Sequence, residues 1–227
     1  MSEWASLAMR KLAVAPQMLP RLPWLMQHVQ DGGLMQFVNV IDEQGNPMPY
    51  ADIGTQLAAS AVTWDDLKWI KEAWGDDKPL VVKGVHCAYD ARKAEEMGAT
   101  GVVWSNHGGR QQDRVLPVLH IVAQEMPKVG NTNLDFMMDG GIRNGTDILI
   151  ALTYGLSAVG IGRVTAAGFG AGGHAGLTRA FEILHSDLDR AMRLVGVQSV
   201  REIHERGEEI RRESLLVGDG HLPEIVF

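Results

Sequence analysis

Residues 101–113 read GVVWSNHGGRQQD, a short apolar run closed by a polar turn on two glycines, and this unit decides the fold because the chain repeats it. LVVKGV at 80–85 carries Lys83, LDFMMDGG at 134–141 ends in Asp139, Gly140 and Gly141, and SAVGIGR at 157–163 ends in Gly162 and Arg163. Short apolar runs bounded by turn residues are the pattern of strands covered on both faces. Between them lie the helical stretches DARKAEEMGA, a segment beginning near Pro117, and TDILIALTYG. Strand and helix alternate, so the sheet is predicted to be parallel: each helix carries the chain back before the next strand runs the same way. An open doubly wound sheet and a barrel both satisfy that alternation. The polar groups decide between them, since Lys83, then His107 and Arg110, then residues 139–143, then Gly162 and Arg163 all fall in or just past the ends of successive strands. A rim shared by consecutive strands is barrel behaviour, whereas an open sheet concentrates its site at a switch point. The expected fold is α/β, a partial (β/α)8 TIM barrel.

Outward from these units the pattern changes. Residues 1–62 are broken by Pro16, Pro20, Pro23, Pro47 and Pro49, with one helix expected at PWLMQHVQDGG, and read as an irregular lid-like segment. Regular structure starts at Thr63, where Thr63 and Asp66 mark a helix start and Leu67, Ile70 and Trp74 recur at helical spacing before Gly75. After the last strand Leu177, Phe181, Leu184, Leu188, Ala191 and Val195 form a helical stripe, and Ser199 with Glu202 opens a shorter helix. The expected division is 1–62, 63–210 for the barrel portion, and a tail over 211–227 that is partly ordered or docked on a partner. Trp64, Trp69 and Trp74 read as helix packing, and REIHERGEEIRRE as a solvated helix face.

With 45% hydrophobic and 22% charged residues the composition is globular. The net charge of −7 gives little support for a general grip on nucleic acid or an anionic membrane. Cys87 is the only cysteine, which excludes an internal disulfide framework and multi-cysteine metal sites. No stretch has the apolar length of a secretory signal core or a membrane span, so a soluble, cytoplasmic protein is expected, with peripheral membrane association left open.

Three turns carry chemistry. In SNHGGRQQD the glycines let the backbone approach a ligand, and His107 and Arg110 pair a base that works near neutral pH with a guanidinium matched to a carboxylate. In DGGIRNGTD the exposed N–H groups, the following helix N-terminus and Arg143 are expected to attract a phosphate, and SAVGIGR repeats the device with Gly162 and Arg163. Lys83 lies in an apolar strand, where an ammonium requires a ligand or a carboxylate partner. No metal spacing is found among the histidines.

In this order and at these separations, Lys83 in LVVKGV, SNHGGRQ, DGGIR and VGIGR closely resemble the C-terminal half of the FMN-dependent α-hydroxy acid oxidases and dehydrogenases, a group that includes glycolate oxidase, L-lactate dehydrogenase and mandelate dehydrogenase. DGG and IGR are shared with other phosphate barrels such as IMP dehydrogenase-like enzymes; SNHGGRQ discriminates. The resemblance covers residues 63–207, is weaker over 16–61 and absent at the tail. It implies oxidation of a 2-hydroxy acid to a 2-keto acid with FMN as cofactor. By the same resemblance His107 is the base, Arg110 binds the substrate carboxylate, Lys83 sits at the flavin N1 and C2 carbonyl edge, and Ser105 lies near the flavin. Asp139, Gly140, Gly141, Arg143, Gly162 and Arg163 hold the ribityl chain and phosphate.

The chain departs from the family by supplying only strands resembling the fifth to eighth. Missing with the other four are contacts to the flavin ring, a tyrosine and a second arginine for substrate, and the carboxylate that orients the histidine. Gln112 stands where the family has leucine. Half a barrel leaves two unpaired edges, at LVVKGV and SAVGIGR. Three readings follow: a C-terminal fragment of a longer enzyme, a split enzyme completed by an N-terminal half-barrel chain, or a non-catalytic remnant or assembly module that self-associates.

Overall fold

The computed structural model describes residue 16 and residues 19–31, 37–49, 52–54 and 62–213. The chain divides into two compact units, Met1–Val62 and Thr63–Phe227. In the first, helix α1 (Leu22–Gln30) starts with a proline in its first turn, as a position without need of an N–H allows, and none of its residues is buried. Farther on, the Asp42 carboxylate accepts the backbone N–H groups of Gln44 and Asn46 and closes a turn bridged by Ile41 and Pro47.

The second unit opens with α2 (Asp66–Trp74), whose start is tied by the Asp66 carboxylate accepting both the N–H and the hydroxyl of Thr63. Then follow β1 (Val81–Val85), α3 (Ala88–Glu96), β2 (Gly101–Trp104), α4 (Val118–Val129), β3 (Asp135–Asp139), α5 (Gly145–Leu152), β4 (Ala158–Gly160), α6 (Arg163–Leu194), α7 (Val200–Glu205) and α8 (Gly207–Glu213). The strands form one parallel sheet in the order β1-β2-β3-β4, with Val82 opposite Val102, Val102 opposite Phe136 and Met138 opposite Val159. Sequential order without a switch is the wall of a barrel, the expected partial (β/α)8 arrangement.

Burial alternates along the strands. Val102, Trp104, Phe136 and Met138 face the helices and are 8% exposed or less, packed on Ala91 and Ala94 of α3 and Val122 of α4. Residues of the other face, Val81, Lys83, Val103, Met137 and Asp139, are half-buried or exposed. In a closed barrel that face lines the interior. Among the described residues β1 and β4 each pair on one side only.

Several expectations need correction. Only Trp64 of the three tryptophans packs against the core; Trp69 and Trp74 are exposed, with their indole N–H groups donated to Asp66 and to the Pro79 carbonyl. Helix α6, which follows the last strand, begins at Arg163 and breaks at Gly172 and Gly173, where Gly168 and Gly176 bring the two arms into backbone contact. On that helix Ala180, Leu184 and Ala191 face the core, and Phe181 is turned outward at 50% exposure. REIHERGEEIRRE is not a uniformly solvated face, because Ile203 and Ile210 are buried and His204 contacts the Leu156 carbonyl at 3.1 Å. Residues 214–227 of the tail lie outside the described residues, but Arg211 docks on the Tyr154 ring and donates to the Thr153 carbonyl.

Candidate functional site

The sequence-predicted polar groups gather at the C-terminal ends of the four strands. The β1–β2 register slips between Lys83 and Val85, so Gly84 is an extra residue with φ of +96°. This bulge keeps Lys83 on the inner face while turning Val85 into the helix-side core. From there Lys83 Nζ reaches Asp139 Oδ2 at 2.9 Å and donates to Ser105 Oγ at 3.0 Å. An ammonium in an apolar strand has found its carboxylate two strands away.

Ser105 is fully buried, and its hydroxyl also accepts the His107 N–H at 3.2 Å. Asn106 caps the turn that follows: its Oδ1 accepts the Gly108 N–H and its Nδ2 donates to the Leu116 carbonyl. His107 is thereby held at φ of +53°, an uncommon value for a residue with a side chain. Its imidazole lies over Gly84, with Cε1 2.8 Å from the point a Cβ on that glycine would occupy. From β4, the Arg163 guanidinium reaches the same turn, 3.5 Å from the Cβ position of Gly108.

The β3 turn differs from expectation. Gly140 and Gly141 have φ of +95° and +81°, and Gly141 faces open space. The N–H groups opening α5 are not free for an anion, because Asp147 accepts those of Arg143 and Asn144, and Asp187 accepts that of Gly145. Carboxylates of the chain itself occupy the positive end of that helix. The start of α6 is different, with neither a side-chain cap nor an acidic residue in its first turn. The chain's own side chains thus cap the start of α5 and leave that of α6 uncapped.

The guanidiniums of Arg110, Arg143 and Arg163 are exposed and have no hydrogen-bond or ion-pair partner among the described residues. Asp139 Oδ1 is buried without a partner there. Lys83, Ser105, Asp139 and His107 form one bonded cluster, toward whose turn Arg163 reaches, and among the described residues Arg110 and Arg143 make no side-chain bond to it.

Three further residues shape the site. Gly84 was signalled by a glycine inside a strand, the mark of a bulge or of close approach. His86, whose ring nitrogen lies 2.7 Å from the Ser105 carbonyl, and Asp187 carried no sequence signal, since both act through contacts distant along the chain. No cluster of metal-ligating side chains and no helix long and apolar enough to cross a membrane occurs among the described residues.

The family model described as FMN-dependent dehydrogenase matches residues 5–209. A 2-hydroxyacid oxidase of Dictyostelium discoideum is 37% identical over 180 residues, covering 79% of this chain and 42% of that protein. An L-lactate dehydrogenase of Caulobacter vibrioides is 40% identical over 170 residues, covering 74% of this chain and 44% of its own length. Among solved structures, a mandelate oxidase with benzoyl-formic acid superposes with a TM-score of 0.59 at 36% identity, over 63% of this chain and 42% of the other. A flavocytochrome b2 with sulfite bound does so at 0.59 and 39%, over 63% of this chain and 38% of the other. The chain thus spans less than half the length of these relatives. Matched over residues 5–209, across both its units, this chain belongs to the FMN-dependent dehydrogenase family.

Proposed function

We propose that the chain is the base-bearing and phosphate-binding part of an FMN-dependent enzyme that oxidises a 2-hydroxy acid to a 2-keto acid, working when further strands close the barrel on β1 and β4. The observation that carries this reading is a set of unpartnered cations on three successive strand-end loops: among the described residues Arg110 after β2, Arg143 after β3 and Arg163 after β4 have no carboxylate partner, and Arg163 reaches toward the histidine turn. Three solvated arginines on one rim favour a ligand that is anionic at two points, a carboxylate and a phosphate.

FMN fits these residues. Arg163, Arg143 and the open start of α6 would hold its phosphate, and Lys83, 45% accessible and held by Asp139 and the buried Ser105, would set a positive charge beside its ring. When bound, FMN supplies the acceptor for the two electrons leaving the α-carbon. Arg110 binds the substrate carboxylate through its guanidinium fork and so fixes the α-carbon against the His107 turn. His107 takes the substrate proton on its imidazole. No carboxylate bonds the His107 ring among the described residues, so the orienting acid comes from the completing strands. A cytoplasmic setting accords with the lone thiol, Cys87.

The test supplies the remaining barrel strands, fused or as a second chain, loads FMN and adds 2-hydroxy acids without oxygen. Bleaching of the visible flavin band by at least one of them is the expected result. A loaded flavin that none of them bleaches would remove the proposed activity and leave a binding or assembly role.

A further inference from the structure

We infer that Gly84 is the positioning residue for His107: the bulge in β1 exists at this point to clear the volume in which the imidazole stands. Two demands meet at this residue. Its φ of +96° strains any L side chain, and a Cβ there would come within 2.8 Å of Cε1, 3.6 Å of Nδ1 and 3.8 Å of Nε2 of His107. The second demand falls on the ring, because the backbone of the histidine is fixed. Its N–H is bound to the fully buried Ser105 hydroxyl, its turn is capped by Asn106, and the Ser105 carbonyl is held by His86. With the backbone clamped on the β2 side, a side chain at residue 84 leaves the ring only rotation off its seat.

The bulge also explains how the sheet accommodates this. One extra residue between Lys83 and Val85 lets Lys83 face the inner side and Val85 the core, with the intervening backbone under the imidazole. Residue 84 thus sets the height of the ring above the sheet, next to the ammonium that pairs with Asp139. The bearing of this on catalysis rests on the proton-accepting role proposed for His107; the steric claim does not.

The two demands separate in a double-mutant cycle on the full chain. Backbone strain at residue 84 is the same whatever stands at 107, whereas the clash disappears when the imidazole is removed. Gly84→Ala is expected to lower the folded-to-unfolded ratio by a factor of about 5 to 30, and by a several-fold smaller factor in the His107→Ala background. Equal losses in both backgrounds would overturn the inference. Should Gly84→Ala not fold, the parent chain still decides: a nuclear Overhauser contact between the Gly84 α-protons and His107 Hε1 is expected, and its absence overturns the claim. In the completed, flavin-loaded barrel, Gly84→Ala should lower kcat with little change in KM and retained FMN. Coupling in the cycle without turnover by the parent would sink the proposed activity and leave this inference standing.

Discussion

Lys83 and Asp139 meet across the inner face of the sheet, Nζ to Oδ2 at 2.9 Å, although β2 lies between their strands. Ser105, at the end of that intervening strand, takes a second hydrogen bond from the same ammonium and a third group, the His107 N–H. The pair is partly exposed, with 45% and 26% of the side chains accessible, so water screens most of its Coulomb energy.

Asp139→Asn should therefore cost less than about 1 kcal/mol of folding stability. It should weaken FMN far more, by about 10- to 100-fold, because the amide no longer anchors the Lys83 ammonium in the place where it meets the flavin. Flavin titration of the completed barrel, set beside urea denaturation of the same variant, checks the contrast.

Arg110→Lys keeps the charge and loses the fork. Substrate kcat/KM should fall about 10- to 100-fold with FMN affinity unchanged, whereas Arg163→Ala should weaken FMN and leave substrate selectivity as it was. Steady-state kinetics and flavin titration on the two variants would separate the two anion positions; identical effects from both would contradict the division of labour.

Acid stability should depend on Glu125. Its carboxyl is held below the usual carboxylate range, first by the hydrogen bond from Lys128 and then by the Ala88 N–H at the start of α3. A depressed folded value means that the contribution is present above the unfolded pKa and is lost as the pH falls through the folded one. Denaturation midpoints taken from neutral pH downward should decline along the acid limb, and Glu125→Gln should flatten that decline.

Ile203 tests whether the last helices belong to the same core as the sheet. It is fully buried on α7, so Ile203→Ala should cost about 2–5 kcal/mol, read by urea or thermal unfolding.

The strands and glycine turns were legible because a covered parallel strand is a continuous apolar run and glycine is the residue its turns require. The barrel followed from where Lys83, His107, Asp139 and Arg163 fall along those runs. What stayed hidden depends on register and on contacts distant along the chain. Lys83 called for a carboxylate, but only the pairing of β1, β2 and β3 identifies it as Asp139. The start of α5 looked open to phosphate until Asp187, far along α6, was seen on the Gly145 N–H. The outward turn of Phe181 follows from which side of α6 meets α5, where Gly145 touches the backbone of Asp187 and Leu188. A stripe of apolar residues does not fix that side.

In the proposed enzyme His107 receives the substrate proton, in a flavin site completed around these four strands. The most direct measurement is the rate at which a 2-hydroxy acid bleaches the flavin in a single anaerobic turnover, compared between the parent barrel and His107→Asn at equal FMN loading. A fall of about 100- to 10,000-fold with the flavin spectrum retained is expected. Bleaching by His107→Asn at the parent rate would contradict it.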